Sequence, residues 1–199
     1  ASNPTITIGA DSIVESETSQ IASMTYDTTN DKVFLAYDNS NDGIVKGAIG
    51  TINSGTNAIS FAGIGTIWDY SSGGDNFDVE MDVDQGKIQF WYKDDDNSNY
   101  LYYKLITPGA SSFSVASGTA VSSSAVAIEN NSLSYGSGKG VLVGVRDTGS
   151  SNKVSYSSGY LATTTTSNLD NGNYLGVAKA AISDTATGKI NIPGGVNEN

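Results

Sequence analysis

The chain has 199 residues, contains neither cysteine nor histidine, and carries a formal net charge of −11. The missing cysteines exclude disulfides and thiolate chemistry, and the missing histidines remove the commonest general base and transition-metal ligand. An acidic chain lacks the positive footprint that displaces counterions from phosphates, so we expect no nucleic-acid partner. No apolar run is long enough to span a bilayer, so we expect no membrane insertion.

Short runs in which apolar and polar residues alternate recur along the chain, a pattern typical of half-buried β-strands. Four runs show it clearly: residues 5–8, 32–37, 87–92 and 141–145. Turn-forming Asp, Asn, Gly and Ser residues separate such runs. Helical patterning is confined to residues 175–182, where flanking β-branched residues favour a strand equally. The sequence therefore predicts an all-β fold.

Comparison of the chain with itself reveals a repeated unit of about 50 residues. The first unit spans about residues 21–69 and the second about residues 77–121, and each contains four predicted strands. Residues 131–161 form a looser third unit, and residues 183–192 resemble the beginning of a fourth.

The size of the repeated unit indicates an architecture. Four antiparallel strands in about 50 residues is the size of one β-propeller blade. We therefore predict antiparallel four-stranded repeats, propeller-like, over residues 1–165, with a β-sandwich as the alternative. Residues 166–199 are predicted to be a partial further repeat or a connection to a further module.

Both ends of the chain look like single strands of incomplete units. Residues 5–8 match the last strand of a unit, and the chain ends with the first strands of another unit, of which residues 189–192 are the last part. An edge strand exposes unpaired backbone groups, which favours pairing with another chain, so we predict a homo-oligomer. The residues predicted at its assembly edges are Ile6, Ile8, Ile190 and Ile192.

Two stretches of sequence carry a family resemblance. Residues 26–38 read Tyr-Asp-Thr-Thr-Asn-Asp-Lys-Val-Phe-Leu-Ala-Tyr-Asp, followed by Gly-Ala-Ile-Gly-Thr at 47–51 and Ile-Ser-Phe at 59–61. This repeat resembles those of predicted tail-fibre and virion proteins of marine bacteriophages. Residues 173–197 look like a segment that follows such repeats in the same proteins.

The resemblance is carried by the repeat and covers the chain from about residue 20 onward. It implies a non-enzymatic structural or binding component of a phage particle, on the virion surface or extracellular. Other virion proteins and the host surface are the implied partners. The family has no catalytic motif to transfer.

Aromatic residues cluster in the second unit and suggest a second function. Exposed aromatic rings stack on sugars. Trp91 shares a strand face with Gln89 and Lys93, which indicates partial exposure. A glycan site at Trp91, Tyr100 and Tyr102 is one hypothesis, and it would make the protein a host-glycan binder or an extracellular bacterial lectin or adhesin. Packing between neighbouring units is the favoured interpretation of Trp91, and a self-assembling surface filament subunit is a further alternative.

An acidic turn in the second unit suggests a metal site. Asp94, Asp95 and Asp96 offer the clustered oxygen ligands that calcium favours. Their spacing does not follow the EF-hand loop, so a solvated turn is the favoured interpretation and calcium the alternative. We predict no other cofactor.

Four acidic residues alternate at the start of the second unit: Asp78, Glu80, Asp82 and Asp84. Paired carboxylates hydrolyse glycosides, and a hydrolase of this kind would depend on Glu80 or Asp82. Four like charges on one strand face without a basic neighbour favour solvent exposure over a tuned acid–base pair. We therefore predict that the protein is not an enzyme.

Overall fold

The computed structural model describes residues 9–11, 13–16, 18–70, 76–127, 133–138, 140–148, 153–159, 177–178 and 190–191. These residues form antiparallel β-sheets, with no α-helix among them. The chain divides into two compact units, Ala1–Leu161 and Ala162–Asn199. Within the described ranges, no helix has the length and apolar character needed to cross a membrane. The predicted all-β class is confirmed.

The first unit of the repeat forms a four-stranded antiparallel sheet, which we call the first leaf. Its strands follow one another in chain order: β1 (Ala22–Asp27), β2 (Lys32–Asn39), β3 (Ile44–Ile52) and β4 (Ile59–Asp69). The turn between β1 and β2 forms because the Asp27 carboxylate accepts the backbone N–H groups of Thr29 and Asn30 at 3.0 and 3.2 Å. Asp31 closes this turn in the left-handed region, at φ 56°.

A β-bulge bends the pairing of β3 with β4. The register shifts between Gly47 and Ile49, where three residue steps on β4 oppose two on β3. Gly63 lies in the bulge at φ 61°, and a Cβ there would lie 2.3 Å from the carbonyl oxygen of Ser111. Glycine at this position therefore permits both the bulge and the close approach of the next unit.

The remaining strands of the first compact unit form one eight-stranded sheet. They are β5 (Phe77–Asp82), β6 (Lys87–Asp94), β7 (Tyr100–Pro108), β8 (Phe113–Val115), β9 (Thr119–Ala127), β10 (Leu133–Gly136), β11 (Gly140–Asp147) and β12 (Lys153–Gly159). The main path runs β10-β11-β9-β7-β6-β5, with β12 on β11 and β8 on β7. We call β5–β8 the second leaf and β10–β12 the third leaf. Strand β9 joins them, since it pairs with both β7 and β11.

The main hydrophobic core lies between the first and second leaves. Its buried members from the first leaf are Phe34, Ala36, Val45, Ile49, Ile67 and Trp68. Those from the second leaf are Phe77, Val79, Met81, Ile88, Phe90, Tyr92 and Ile106. Burying one large apolar side chain contributes about 1.5–3 kcal/mol, so this contact dominates the packing of the two leaves.

A smaller core lies on the opposite face of the second leaf. Its buried residues are Trp91, Leu101, Val126, Val143 and Val145. The second leaf is therefore covered on both faces, by the first leaf on one side and the third on the other.

The first predicted repeat forms a four-stranded sheet of its own, whereas the strands of the second and third share one eight-stranded sheet. The alternating runs at 32–37, 87–92 and 141–145 lie in β2, β6 and β11. The described strands form open sheets and do not close into a ring. The predicted strand at residues 5–8 lies outside the described residues. In the second compact unit, β13 (Val177–Ala178) pairs antiparallel with β14 (Ile190–Asn191), so the described part of residues 175–182 is strand.

Candidate functional site

The first strands of the three leaves meet at a polar junction. The Ser23 hydroxyl of β1 donates to the Asp78 carboxylate of β5 at 2.5 Å, and that carboxylate accepts the Leu133 N–H of β10 at 3.1 Å. Both bonds join residues that are 55 positions apart. A cavity of about 290 Å³ opens here, lined by Ala22, Ser23, Met24, Asp78, Val79, Glu80 and Leu133. We call it the inner cavity.

Side chains of β1 bond the free edge of β5. The Ser23 hydroxyl accepts the Val79 N–H at 3.2 Å, and the Thr25 hydroxyl accepts the Met81 N–H at 3.1 Å. Strand β5 is the edge of its sheet, so these N–H groups have no partner strand on that side. The two hydroxyls therefore supply acceptors to backbone donors at this edge, and the Val79 N–H also donates to the Asp78 carboxylate at 2.9 Å.

The same arrangement recurs one unit later, with carboxylates in place of hydroxyls. Asp78 accepts the N–H of Leu133, and Glu80 accepts the backbone N–H of Tyr135. Alternate side chains of one first strand thus bond the backbone of the next first strand along the chain. The inner cavity is lined both by Ser23, an accepting hydroxyl of β1, and by Asp78 and Glu80, the accepting carboxylates of β5.

Burial makes two of these acids harder to ionise. Removal from water and the neighbouring Asp78 charge raise the pKa of Glu80, against the opposing hydrogen bond from Tyr135. Burial also raises the pKa of Asp82, although its carboxylate accepts hydrogen bonds from the Gln85 N–H and the Gln89 amide, each at 3.2 Å.

The expectation that this acidic row is exposed to solvent is wrong for two of its members. Asp78 and Asp82 are 4% and 1% exposed, because β1 and the third leaf cover the row. Glu80 is half-buried, and exposed Asp84 accepts the Gly138 N–H at 2.6 Å. These carboxylates accept hydrogen bonds from backbone and side-chain donors. Such bonds are those expected of residues that join neighbouring leaves.

Trp91 follows its favoured interpretation, packing between units, and lacks the partial exposure that the glycan hypothesis needs. Its side chain is 2% exposed and packs in the smaller core, with its ring 5.3 Å from that of Tyr103. The indole N–H donates to Gln89 at 2.9 Å, and Gln89 donates in turn to Asp82. No face of the Trp91 ring is presented for a sugar to stack on.

The other two residues of the predicted glycan site lie on β7, and both are half-buried. Tyr102 packs against Tyr92, with ring centroids 5.7 Å apart, at the edge of the main core. Tyr100 pairs with Asp94 across the β6–β7 hairpin. Glycan binding at Tyr100 and Tyr102 stays a prediction, without Trp91 as its platform.

The predicted calcium turn is held by its own side chains. The Asp94 carboxylate accepts the Asp96 N–H at 3.2 Å and the Asn97 amide at 2.7 Å, which begins a 3-10 helix at Asp95–Asn97. Lys93 lies 2.9 Å from the Asp95 carboxylate. Across the described ranges, no three His, Cys, Asp or Glu side chains form a group that could hold a metal ion. Calcium binding stays a prediction.

Of the predicted assembly edges, one is described. Ile190 lies in β14 and is paired with Ala178 of β13. Ile6, Ile8 and Ile192 lie outside the described residues.

Sequence reasoning missed the polar residues that join the leaves. Ser23 and Thr25 look like ordinary strand residues until the 55-residue repeat places them opposite Asp78 and Glu80. A second missed group is Glu15, which accepts the Tyr37 hydroxyl at 2.7 Å and the Lys46 ammonium at 2.6 Å. The repeat spacing could have identified the first group, whereas Glu15 precedes the first unit and carries no repeat signal.

The comparisons with known proteins name no relative. No family model, curated protein or solved structure matches this chain.

Proposed function

We propose that this protein is a non-enzymatic structural and binding component of a phage virion that assembles with copies of itself. The observation that carries the proposal is the repeated bonding of first strands at 55-residue spacing, through Ser23, Asp78 and Leu133. Such a repeat builds an extended β scaffold in which each leaf contacts its neighbours, as in other stacked repeat proteins. The virion assignment itself is supported by the sequence resemblance to tail-fibre and virion proteins.

The finer architecture that we propose is propeller-like. In a propeller, first strands gather near an axis and four-stranded blades pack face to face. The contacts among β1, β5 and β10 and the two covered faces of the second leaf support this arrangement. Propellers typically contain 4–8 blades, so three leaves need further leaves from another copy or from other segments to close.

The absence of catalysis that we propose is supported by the roles of the acids. Asp78 and Glu80 accept backbone hydrogen bonds from the next leaf, and Asp82 bonds the side chain of Gln89. These contacts link strands to one another. The location that we propose is the virion surface or the extracellular space, with other virion proteins and host-surface glycans as further partners.

The solution mass, measured by light scattering after size exclusion, tests the proposal. One chain has a mass of 20.6 kDa. We expect a defined multiple of this mass or a longer polymer, since open leaves would be completed by further copies. A mass of one chain over a wide concentration range would overturn self-assembly and leave a small monomeric β-domain.

A further inference from the structure

The first leaf exposes apolar side chains on the face turned away from the second leaf. The strand register places these residues on one side, which we call the outer face: Met24, Tyr26, Leu35, Ile52 and Phe61. Met24, Tyr26 and Ile52 are 58%, 45% and 44% exposed. Val14, Glu15 and Ser19 lie near Leu35, and the side chains of Met24, Tyr26 and Ile52 stay exposed.

The repeat shows what such a face contacts elsewhere in the molecule. Val79 and Met81 occupy the positions of Met24 and Tyr26 one unit later, and each is only 2% exposed. Phe90, the counterpart of Leu35, is fully buried. All three counterparts belong to the main core, where the first leaf covers them. The outer face of the first leaf therefore corresponds to the face of the second leaf that a neighbouring leaf buries.

The leaves stack in one direction. Strand β6 turns Ile88, Phe90 and Tyr92 toward the first leaf, and β11 turns Val143 and Val145 toward the second. Each leaf thus presents the same face to the leaf before it. If a further leaf preceded the first one in this order, it would cover the outer face of the first leaf. In a second copy, the leaf in that position is the third leaf, and the surface in contact is its far side, which is turned away from the second leaf.

Along β11, the side of the third leaf that is turned away from the second leaf is also exposed. On β11, the residues between the buried valines point away from the second leaf, and Leu142 among them is 47% exposed. Its counterpart on β6, Gln89, is 1% exposed because the third leaf covers it. The outer face of the first leaf and the far side of the third leaf therefore correspond to the two surfaces that contact each other between neighbouring leaves.

We propose that the outer face of one copy binds the far side of the third leaf of a second copy, so that chains join head to tail. This inference rests on the proposed self-assembly and names the surfaces that perform it. A contact between two different surfaces forms a ring when the rotation closes and a filament when it does not. It continues the packing already present between leaves and needs no strand pairing at the chain ends.

Met24→Glu tests the outer face, because a charge there opposes burial. Val83→Glu is the matched control, since Val83 is 41% exposed but lies in the turn between β5 and β6. With far-UV circular dichroism confirming the β fold, we expect Met24→Glu to reduce the mass to 20.6 kDa and Val83→Glu to keep the wild-type mass. An unchanged mass for Met24→Glu would overturn this interface and leave self-assembly standing.

Cysteine cross-linking tests the pairing directly, because the chain contains no cysteine of its own. Met24→Cys chains mixed with Leu142→Cys chains should form a cross-linked dimer on mild oxidation, in clear excess over either variant alone. A mixture of Met24→Cys with Val83→Cys should not. Cross-links no stronger than this control would overturn head-to-tail binding, whether or not Met24→Glu folds. A single-chain mass for the wild type would overturn the proposed function as well.

Discussion

Single residues hold neighbouring leaves together where strands at sheet edges meet. A buried N–H group at a sheet edge costs free energy unless it finds an acceptor, and side chains supply the acceptor here. Ser23 and Thr25 do so for β5, and Asp78 and Glu80 do so for β10. Hydroxyls accept these bonds from β5 and carboxylates accept them from β10. Either group suffices, because the bond needs only a side-chain oxygen at the matching position along the strand.

Replacing Asp78 by alanine should destabilise the fold. The change removes the acceptor of the Ser23 hydroxyl and of the Leu133 N–H, whereas the Val79 N–H keeps its bond to the Ser23 hydroxyl. Leaving buried donors unsatisfied costs about 1–3 kcal/mol in the free energy of unfolding, which urea denaturation can measure. Asp11→Ala is the charge-matched control at an exposed position, and an equal effect of both variants would contradict the bonding role.

Replacing Glu80 by glutamine should stabilise the protein at neutral pH. A raised pKa in the folded state means that the native protein holds the proton more tightly, so the ionised side chain destabilises the fold above that pKa. Glutamine removes the charge and still accepts the Tyr135 N–H. Its advantage should shrink as the pH falls from the raised pKa of the folded state toward the ordinary value of 4.5, and be lost below 4.5, where both states of the wild type are protonated.

Thermal unfolding midpoints measured from acid to neutral pH decide this question. An advantage for Glu80→Gln that grows in acid would mean that the carboxylate is stabilised in the folded protein.

Whole strands are positioned by residues too small to interfere with their neighbours. Gly47 of β3 lies under the edge-to-face pair of Phe34 and Phe113, whose ring centroids are 5.2 Å apart. Phe113 comes from β8 of the second leaf, so this pair joins two leaves. Strand pairing within the first leaf does not require glycine at position 47. The second leaf does require it, because it packs directly against the backbone at this position.

Gly47→Ala should therefore loosen the contact between the first and second leaves. A Cβ at this position would lie 2.7 Å from Phe34 Cζ and 2.8 Å from Phe113 Cζ, which forces the rings to move. Overpacking of this kind costs about 1–3 kcal/mol, measurable as a lower unfolding midpoint in urea. Gly55→Ala is the control, since its nearest heavy atom would lie 3.4 Å away in an exposed turn. Equal stability of Gly47→Ala and wild type would show that the rings adjust freely.

At the scale of the whole molecule, the leaves form a series with two open ends. The middle leaf is covered on both faces, whereas Met24 at one end and Leu142 at the other remain exposed. A net charge of −11 makes copies repel one another, so association has to come from apolar contact. The solution mass shows whether copies associate. Cross-linking in the mixture of Met24→Cys and Leu142→Cys chains shows whether these two surfaces are the ones in contact.

Much of this architecture could be predicted from the sequence. Alternating runs located β2, β6 and β11, because a strand with one or both faces packed shows its period of two locally. The repeat of about 50 residues located the four-stranded first leaf, whereas the next two units share one sheet. The sequence resemblance also supplied the virion hypothesis, which stays a proposal.

Only the tertiary structure decided which faces are covered. Asp78 and Asp82 were expected to face solvent, and both are buried. Met24 and Tyr26 occupy repeat positions equivalent to Val79 and Met81 but are open at the end of the stack. Local sequence specifies which side of a strand a residue takes, whereas burial depends on whether a neighbouring leaf, distant in the chain, packs against that side.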